Sequence, residues 1–107
     1  MSTLPDLDPI IHAPARLKMM ATLAALPPGD RLSFLRLQGL LDTTAGNLST
    51  HLRKLEDAGY VTVRKSHQGR LPTTHVELSA PGRRALEDYV SSLRALLATT
   101  DPSDEGA

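Results

Sequence analysis

The stretch Thr44-Ala45-Gly46-Asn47-Leu48-Ser49-Thr50-His51-Leu52-Arg53-Lys54-Leu55-Glu56-Asp57-Ala58-Gly59-Tyr60-Val61 decides how this chain is read. Leu48, Leu52 and Leu55 recur at i, i+4 and i+7, the spacing of one buried helical face. Thr44 precedes the run as a candidate N-cap, and Gly59 follows it where a left-handed C-terminal residue belongs. A helix is therefore predicted over 45–58. From Tyr60 the period drops from 3.6 to 2, and Tyr60-Val61-Thr62-Val63-Arg64-Lys65 reads as a strand. With the three leucines inward and about 100° advanced per residue, Gly46, Thr50, Arg53 and Asp57 point away from the core. Asn47 and Lys54 flank that outer face on one side and Ser49 on the other.

Upstream, Asp42-Thr43-Thr44 is a short polar turn that offers two candidate caps for the helix. Before it, Ser33 caps a helix with the stripe Phe34, Leu37, Leu40 and Leu41, and Leu32 is placed to staple onto Leu37. Pro27-Pro28-Gly29-Asp30 ends an earlier helix that runs from Pro14 to about Leu26, with Leu17, Met20, Ala21 and Ala24 as its buried stripe. Asp8-Pro9 signals a short helical turn over 9–13. Downstream, a loop over 66–72 containing Gly69 and Pro72 leads to a returning strand over 73–78, a hairpin with an extended tip. Ser79 then caps a last helix to about Ala98, with Pro81 in its first turn.

A chain of 107 residues holds one domain, here mainly α with a β-hairpin, an α+β arrangement. It is expected to fold over 9–98, with flexible tails at 1–8 and 99–107. Only Phe34, Tyr60 and Tyr89 are aromatic, so the core is aliphatic. The absence of cysteine excludes a disulfide scaffold, thiolate metal sites and a cysteine nucleophile. No apolar run nears the ~20 residues of a membrane span, and no signal-peptide pattern opens the chain. A soluble cytoplasmic protein is expected. The net charge of zero, from 12 bases and 12 acids, argues at first against a polyanion partner. The zero is a sum of unlike parts. Asp6, Asp8, Asp101, Asp104 and Glu105 lie in the tails, leaving 12 bases against 7 acids over 9–100, a net +5.

The order helix, helix, three-residue turn, helix, hairpin, helix contains a helix-turn-helix followed by a wing. Residues 44–61 resemble the recognition helix and wing entry of the winged-helix regulators of the MarR-like and ArsR-like kind, and are most similar to their small single-domain branch. Gly69-Arg70, Pro72 and Thr74 resemble the family's wing, and Leu78-Ser79 with Gly82-Arg83 resembles its post-wing helix start. Thr43 departs from the pattern, being polar where the family has an apolar residue. The resemblance covers about residues 7–98. It implies a winged helix-turn-helix fold and a DNA-binding regulator, and it also favours a homodimer.

The residues point the same way. A helix in a major groove needs small groups for close approach and polar groups at base edges. Arg53 is suited to guanine and Asn47 to adenine, while Gly46 permits approach. Thr44, Ser49, Thr50 and Lys54 are candidates for phosphates. On the wing, Lys65, His67, Gln68 and Arg70 are candidates for the minor groove or adjacent backbone. Leu86, Tyr89, Val90, Leu93, Leu96 and Leu97 form a stripe on the last helix, over about 80–98, richer in leucine than one thin domain can cover. A symmetric dimer through that helix is expected.

The partners expected are double-stranded DNA, a second copy and an unspecified small-molecule effector. The function expected is a repressor acting as a homodimer on a pseudo-palindromic site, with no cofactor. His12, His51, His67 and His75 lack metal-ligand spacing, so no metal site is expected. Ser49 and His51 are two apart on one helix and cannot meet as nucleophile and base, and no phosphate-binding glycine loop is present. No enzyme is expected. The rival readings are a winged-helix protein-interaction module and a sensor whose DNA binding an effector switches.

Overall fold

The computed structural model describes residues 6–100. The elements run α1 (Pro14–Ala24), β1 (Arg31–Ser33), α2 (Phe34–Leu41), α3 (Ala45–Asp57), β2 (Val61–Gln68), β3 (Leu71–Leu78) and α4 (Ala80–Ala98). The three strands form one antiparallel sheet in the order β1-β3-β2. This is a winged helix fold, with β2 and β3 as the wing.

Helix starts follow local chemistry. The hydroxyls of Ser33, Thr44 and Ser79 accept from the backbone N–H groups of Arg36, Asn47 and Gly82, capping α2, α3 and α4. Thr44 therefore carries the cap, and the polar Thr43 leaves the turn intact. Helix ends are equally local. Gly59 takes φ +81°, its N–H donates to Glu56 and that of Tyr60 to Leu55, which is a Schellman turn. Asp42, at φ 50°, closes α2 with the same pattern onto Gly39 and Gln38. An aspartate takes that left-handed conformation at lower cost than most side chains.

The core joins Met19, Met20 and Leu23 of α1, Leu37 of α2, the inner leucines of α3, Val61, Val76 and Leu78 of the sheet, and Leu86 and Tyr89 of α4. Three expectations need correction. On α1, Met19 and Leu23 are buried with Met20, whereas Ala21 is exposed and Leu17 and Ala24 only line the core. The bulkier side chains win the interior because they bury more apolar surface. On α2, Leu37 is buried but Leu40 is half exposed. Strand β1 was not anticipated: its three residues extend the wing sheet by pairing Arg31 with Glu77, Leu32 with Val76 and Ser33 with His75.

The ends differ from expectation too. Leu7 packs on the core, and Asp8 accepts from the Ile10 N–H at 2.8 Å, so residues assigned to a tail belong to the fold. At the other end Thr99 and Thr100 donate their hydroxyls to the carbonyls of Leu96 and Leu97, finishing α4. Residues 1–5 and 101–107, with the acids Asp101, Asp104 and Glu105, lie outside the described residues.

Candidate nucleic-acid interface

Helix α3 sits with Leu48, Leu52 and Leu55 fully or nearly buried and its other face in solvent. His51, at the boundary, accepts from the Arg16 guanidinium at 3.3 Å with its ring Nδ1. The same arginine donates through Nε to the Ile10 carbonyl at 2.6 Å, tying α3 to the N-terminal turn. Thr44, Gly46, Asn47, Ser49, Thr50, Arg53 and Lys54 are all exposed. Two of them already have local duties. Thr44 Oγ1 is the cap, and Thr50 Oγ1 donates to the Gly46 carbonyl at 3.0 Å. Gly46 is different, because a Cβ there would meet nothing within 4 Å. Nothing inside the chain requires a glycine at that position.

The wing is longer and tighter at its end than expected. The strands pair up to Gln68 and Leu71, leaving only Gly69 and Arg70 as the loop. Gly69, at φ +66°, occupies the first central position, where a two-residue hairpin turn takes glycine. The expected seven-residue loop over 66–72 is thus mostly strand. Pro72 is tolerated because a two-residue loop makes His67–Pro72 a non-hydrogen-bonded pair. Its nitrogen therefore faces the edge that β1, pairing only with 75–77, leaves open.

Strand alternation divides the wing into two faces. Val61, Val63, Lys65 and His67 share a face with Leu78, Val76, Thr74 and Pro72, the face that meets the core and α3. Arg64, Ser66 and Gln68 share the opposite face with His75, Thr73 and Leu71. The Ser66 and Thr73 hydroxyls are 2.9 Å apart on that outer face. The expected wing residues thus separate: Lys65 and His67 on the α3 side, Gln68 on the other, Arg70 in the turn.

Between α3 and the wing runs an open groove of about 730 Å³. Phe34, Leu52 and Val63 form its apolar floor, and it brings Arg53 and Lys54 of α3 to the same hollow as Lys65 and Thr74 of the wing. Glu56 and Asp57 line it as well, toward the C-terminal end of α3. Thr74, legible in the sequence only as part of the wing motif, reaches the groove because the register pairs it with Lys65.

The wing root is fixed by contacts between residues that are distant in the sequence. The Ser79 N–H donates to the Tyr60 carbonyl at 3.0 Å, and the Ser79 hydroxyl donates to the Gly59 carbonyl at 2.6 Å. A Cβ on Gly82 would overlap the Tyr60 carbonyl oxygen and lie 2.9 Å from the Tyr60 Cα. Glycine lets α4 start directly on the wing entry. Arg83 donates to the carbonyls of Ala24 and Leu26 at 3.2 and 3.3 Å, answering the C-terminal end of α1. The Tyr60 hydroxyl donates to Asp8 Oδ2 at 2.5 Å. That hydrogen bond, followed by burial and the carboxylate charge, pushes the Tyr60 phenol up to about 12.

On α4, Leu86 and Tyr89 are corrected from interface candidates to core residues. Leu93 packs against the same core. The Tyr89 hydroxyl also lies 2.9 Å from His12 Nδ1. Val90 and Leu97 stay exposed and Leu96 half-buried. A shallow hollow of about 350 Å³ beside Val90 is edged by Glu87, Ser91 and Arg94. Among the described residues no cluster of three metal-ligating side chains forms, and no helix is long and apolar enough to cross a membrane.

A recognition helix with an open polar face, a two-stranded wing beside it and a helix leaving the wing root define a class, and comparison with known proteins agrees. Residues 15–97 match the family model described as a winged helix DNA-binding domain. The chain belongs to that family. It is 34% identical over 88 residues to an uncharacterized protein of Methanocaldococcus jannaschii, covering 81% of this chain and 91% of that one. It resembles the structure of a transcriptional regulator homologue from Pyrococcus horikoshii with a TM-score of 0.78 and 35% identity, over 86% of this chain and 88% of that one. The fold also matches the S. aureus MepR–DNA complex at a TM-score of 0.68 and 18% identity, over 90% and 76% of the two chains.

Proposed function

We propose that this chain is a sequence-specific, double-stranded DNA-binding transcription regulator, a cytoplasmic repressor that works as a homodimer on a pseudo-palindromic site. The observation that carries this reading is the outer face of α3: small, polar and uncovered, with arginine and lysine following and the wing alongside. Such a face fits a major groove, with Arg53 and Asn47 at base edges and Ser49 and Lys54 at phosphates. The relatives support it, since one is a regulator homologue and the fold recurs in a protein solved on DNA. The rim acids Glu56 and Asp57 sit at the far end of α3, where the helix leaves the groove in this pose.

The homodimer reading rests on the free part of α4. Val90 and Leu97 offer apolar surface, with Glu87 and Arg94 on either side of Val90. Two copies of α4 packed antiparallel about residues 90–91 would set each Glu87 against the other copy's Arg94, as an isologous interface requires. Half-sites would then lie ~10 bp apart or a multiple of it. Selection of bound duplexes from a random pool tests binding, symmetry and spacing together. The expected product is an inverted repeat. Recovery of unenriched sequence, or of single unpaired half-sites, would count against the regulator or the dimer respectively.

A further inference from the structure

The groove between α3 and the wing joins charged walls to an apolar floor. The floor is Phe34, Leu52 and Val63, each supplied by a different element. Leu52 is a core residue at the back, while Phe34 and Val63 pack on that core and stay half-buried. On the α3 wall stand Arg53 and Lys54, and on the wing wall Lys65 and Thr74, directly opposite each other across the hairpin. Val63 is two residues nearer the root than Lys65 on the same strand face. The wing's charge therefore lies about 7 Å further out than the floor. Glu56 and Asp57 line the groove toward the C-terminal end of α3.

Cations above an apolar floor suit an occupant in which anions alternate with a compact apolar body. A DNA strand is built that way, with phosphates alternating with deoxyribose, whose C2′ carries only hydrogen. The floor offers a sugar hydroxyl no partner, because none of its three side chains has a polar atom. The hydroxyls along the walls are placed elsewhere. Thr74 stands level with Lys65, Thr50 Oγ1 is committed to the Gly46 carbonyl, and Ser49 lies about one turn before Leu52 on α3.

Resting on the DNA-binding reading above, we propose that this groove is a channel for one strand of the duplex and that its floor selects deoxyribose over ribose. A phosphate lies between Lys54 and Lys65, and the adjoining sugar rests on Phe34 and Val63 with Leu52 behind them. A ribose in that place presses its 2′-hydroxyl against carbon, where it loses its water and gains no hydrogen bond. The 2′-hydroxyl is the group by which a protein tells RNA from DNA, and here it is read by exclusion. Glu56 and Asp57 repel phosphate from the C-terminal end of α3 and so fix where the strand leaves the channel.

The test uses the full chain and a duplex that it selects from a random pool. Each nucleotide of a half-site is replaced in turn by its ribonucleotide and by its 2′-deoxy-2′-fluoro analogue, which takes a ribose-like pucker without the hydroxyl. Each thymidine is also replaced by deoxyuridine, which lacks the methyl group. On one strand, a single short run of positions should show ribose weakening binding about tenfold while the fluoro analogue does not. Val63→Thr, which gives the hydroxyl a partner at nearly unchanged shape, should shrink that ratio severalfold. An uncharged methylphosphonate beside the same sugar should weaken wild type and add little to Lys65→Ala. If Val63→Thr does not fold, the ribose-to-fluoro ratio and the Lys65 comparison decide the matter. If wild type binds the duplex but no position separates ribose from fluoro, the inference is overturned while DNA binding stands. It is equally overturned if Val63→Thr alters the response to the thymine methyl instead, since the floor then reads a base. If wild type binds no duplex, the functional reading falls and this inference with it.

Discussion

At the root of the wing the polar groups of Gly59, Tyr60 and Ser79 are answered from within the chain, whereas the outer face of α3 and the wing tip are left to solvent. Two glycines show the contrast. Gly82, in the first turn of α4, is pressed against the Tyr60 backbone, and Gly46, in the first turn of α3, faces open space. The first is demanded by the fold. The second is demanded by no contact within the chain, which leaves it free to admit a close outside partner. Residue type alone does not separate structural from functional positions here; the contacts do.

Replacing each glycine by alanine should break this comparison if it is wrong. Gly82→Ala should destabilise the fold by about 3 kcal/mol or more, because the obstacle is backbone and cannot rotate away. Chemical denaturation measures it, and a loss under 1 kcal/mol would mean the α4–wing junction is slack. Arg53→Ala should leave the melting temperature unchanged and weaken DNA binding by about 1–3 kcal/mol, with relaxed preference at one base pair. Competition titrations with single-base variants read both effects.

Tyr60→Phe should cost about 1 kcal/mol at neutral pH through the lost bond to Asp8. The alkaline limb gives a sharper reading. The folded phenol holds its proton to about 12 against an ordinary 10.0. Its stabilising contribution is therefore whole below pH 10 and disappears as pH rises toward 12. The stability difference between wild type and Tyr60→Phe should shrink across that window. A constant difference would remove the Asp8 contact from the account. Gly46→Ala is the smallest change and the most diagnostic, since its two effects have opposite signs. Stability should rise by about 0.5 kcal/mol through helix propensity, while affinity for DNA falls. A variant that gains stability and keeps full affinity would show that nothing approaches α3 at Gly46.

The parts of the fold written in local chemistry were legible in the sequence. The caps Ser33, Thr44 and Ser79, the stop at Gly59, the inner face of α3 and the change of period at Tyr60 each depend on a few adjacent residues. What escaped depends on distant partners. Strand β1 is three residues long and exists because β3 has a free edge opposite Arg31, Leu32 and Ser33. The orientation of α1 was misjudged because Met19-Met20-Ala21-Thr22-Leu23-Ala24-Ala25 offers apolar residues on every side. Pro72 looked like a strand break, and only the reach of β1 shows why it is not one.

For the site, the exposed residues of α3 could be named from the helical wheel. Their neighbours on the wing could not be sorted until the register put Lys65 with Thr74 and Gln68 with Leu71. The α4 stripe was legible as apolar but not as divided. Leu86 and Tyr89 serve the core that α1 completes, leaving Val90 and Leu97 outside.

The central claim is that the open face of α3 and the wing form a duplex-DNA interface. It is tested most directly by the salt dependence of affinity for a selected duplex, comparing wild type with Arg70→Ala. The account predicts a dissociation constant that rises steeply with salt for wild type, and a log–log slope smaller by about one for a variant lacking one phosphate-contacting charge. No complex at low salt, or an affinity indifferent to salt, would contradict it.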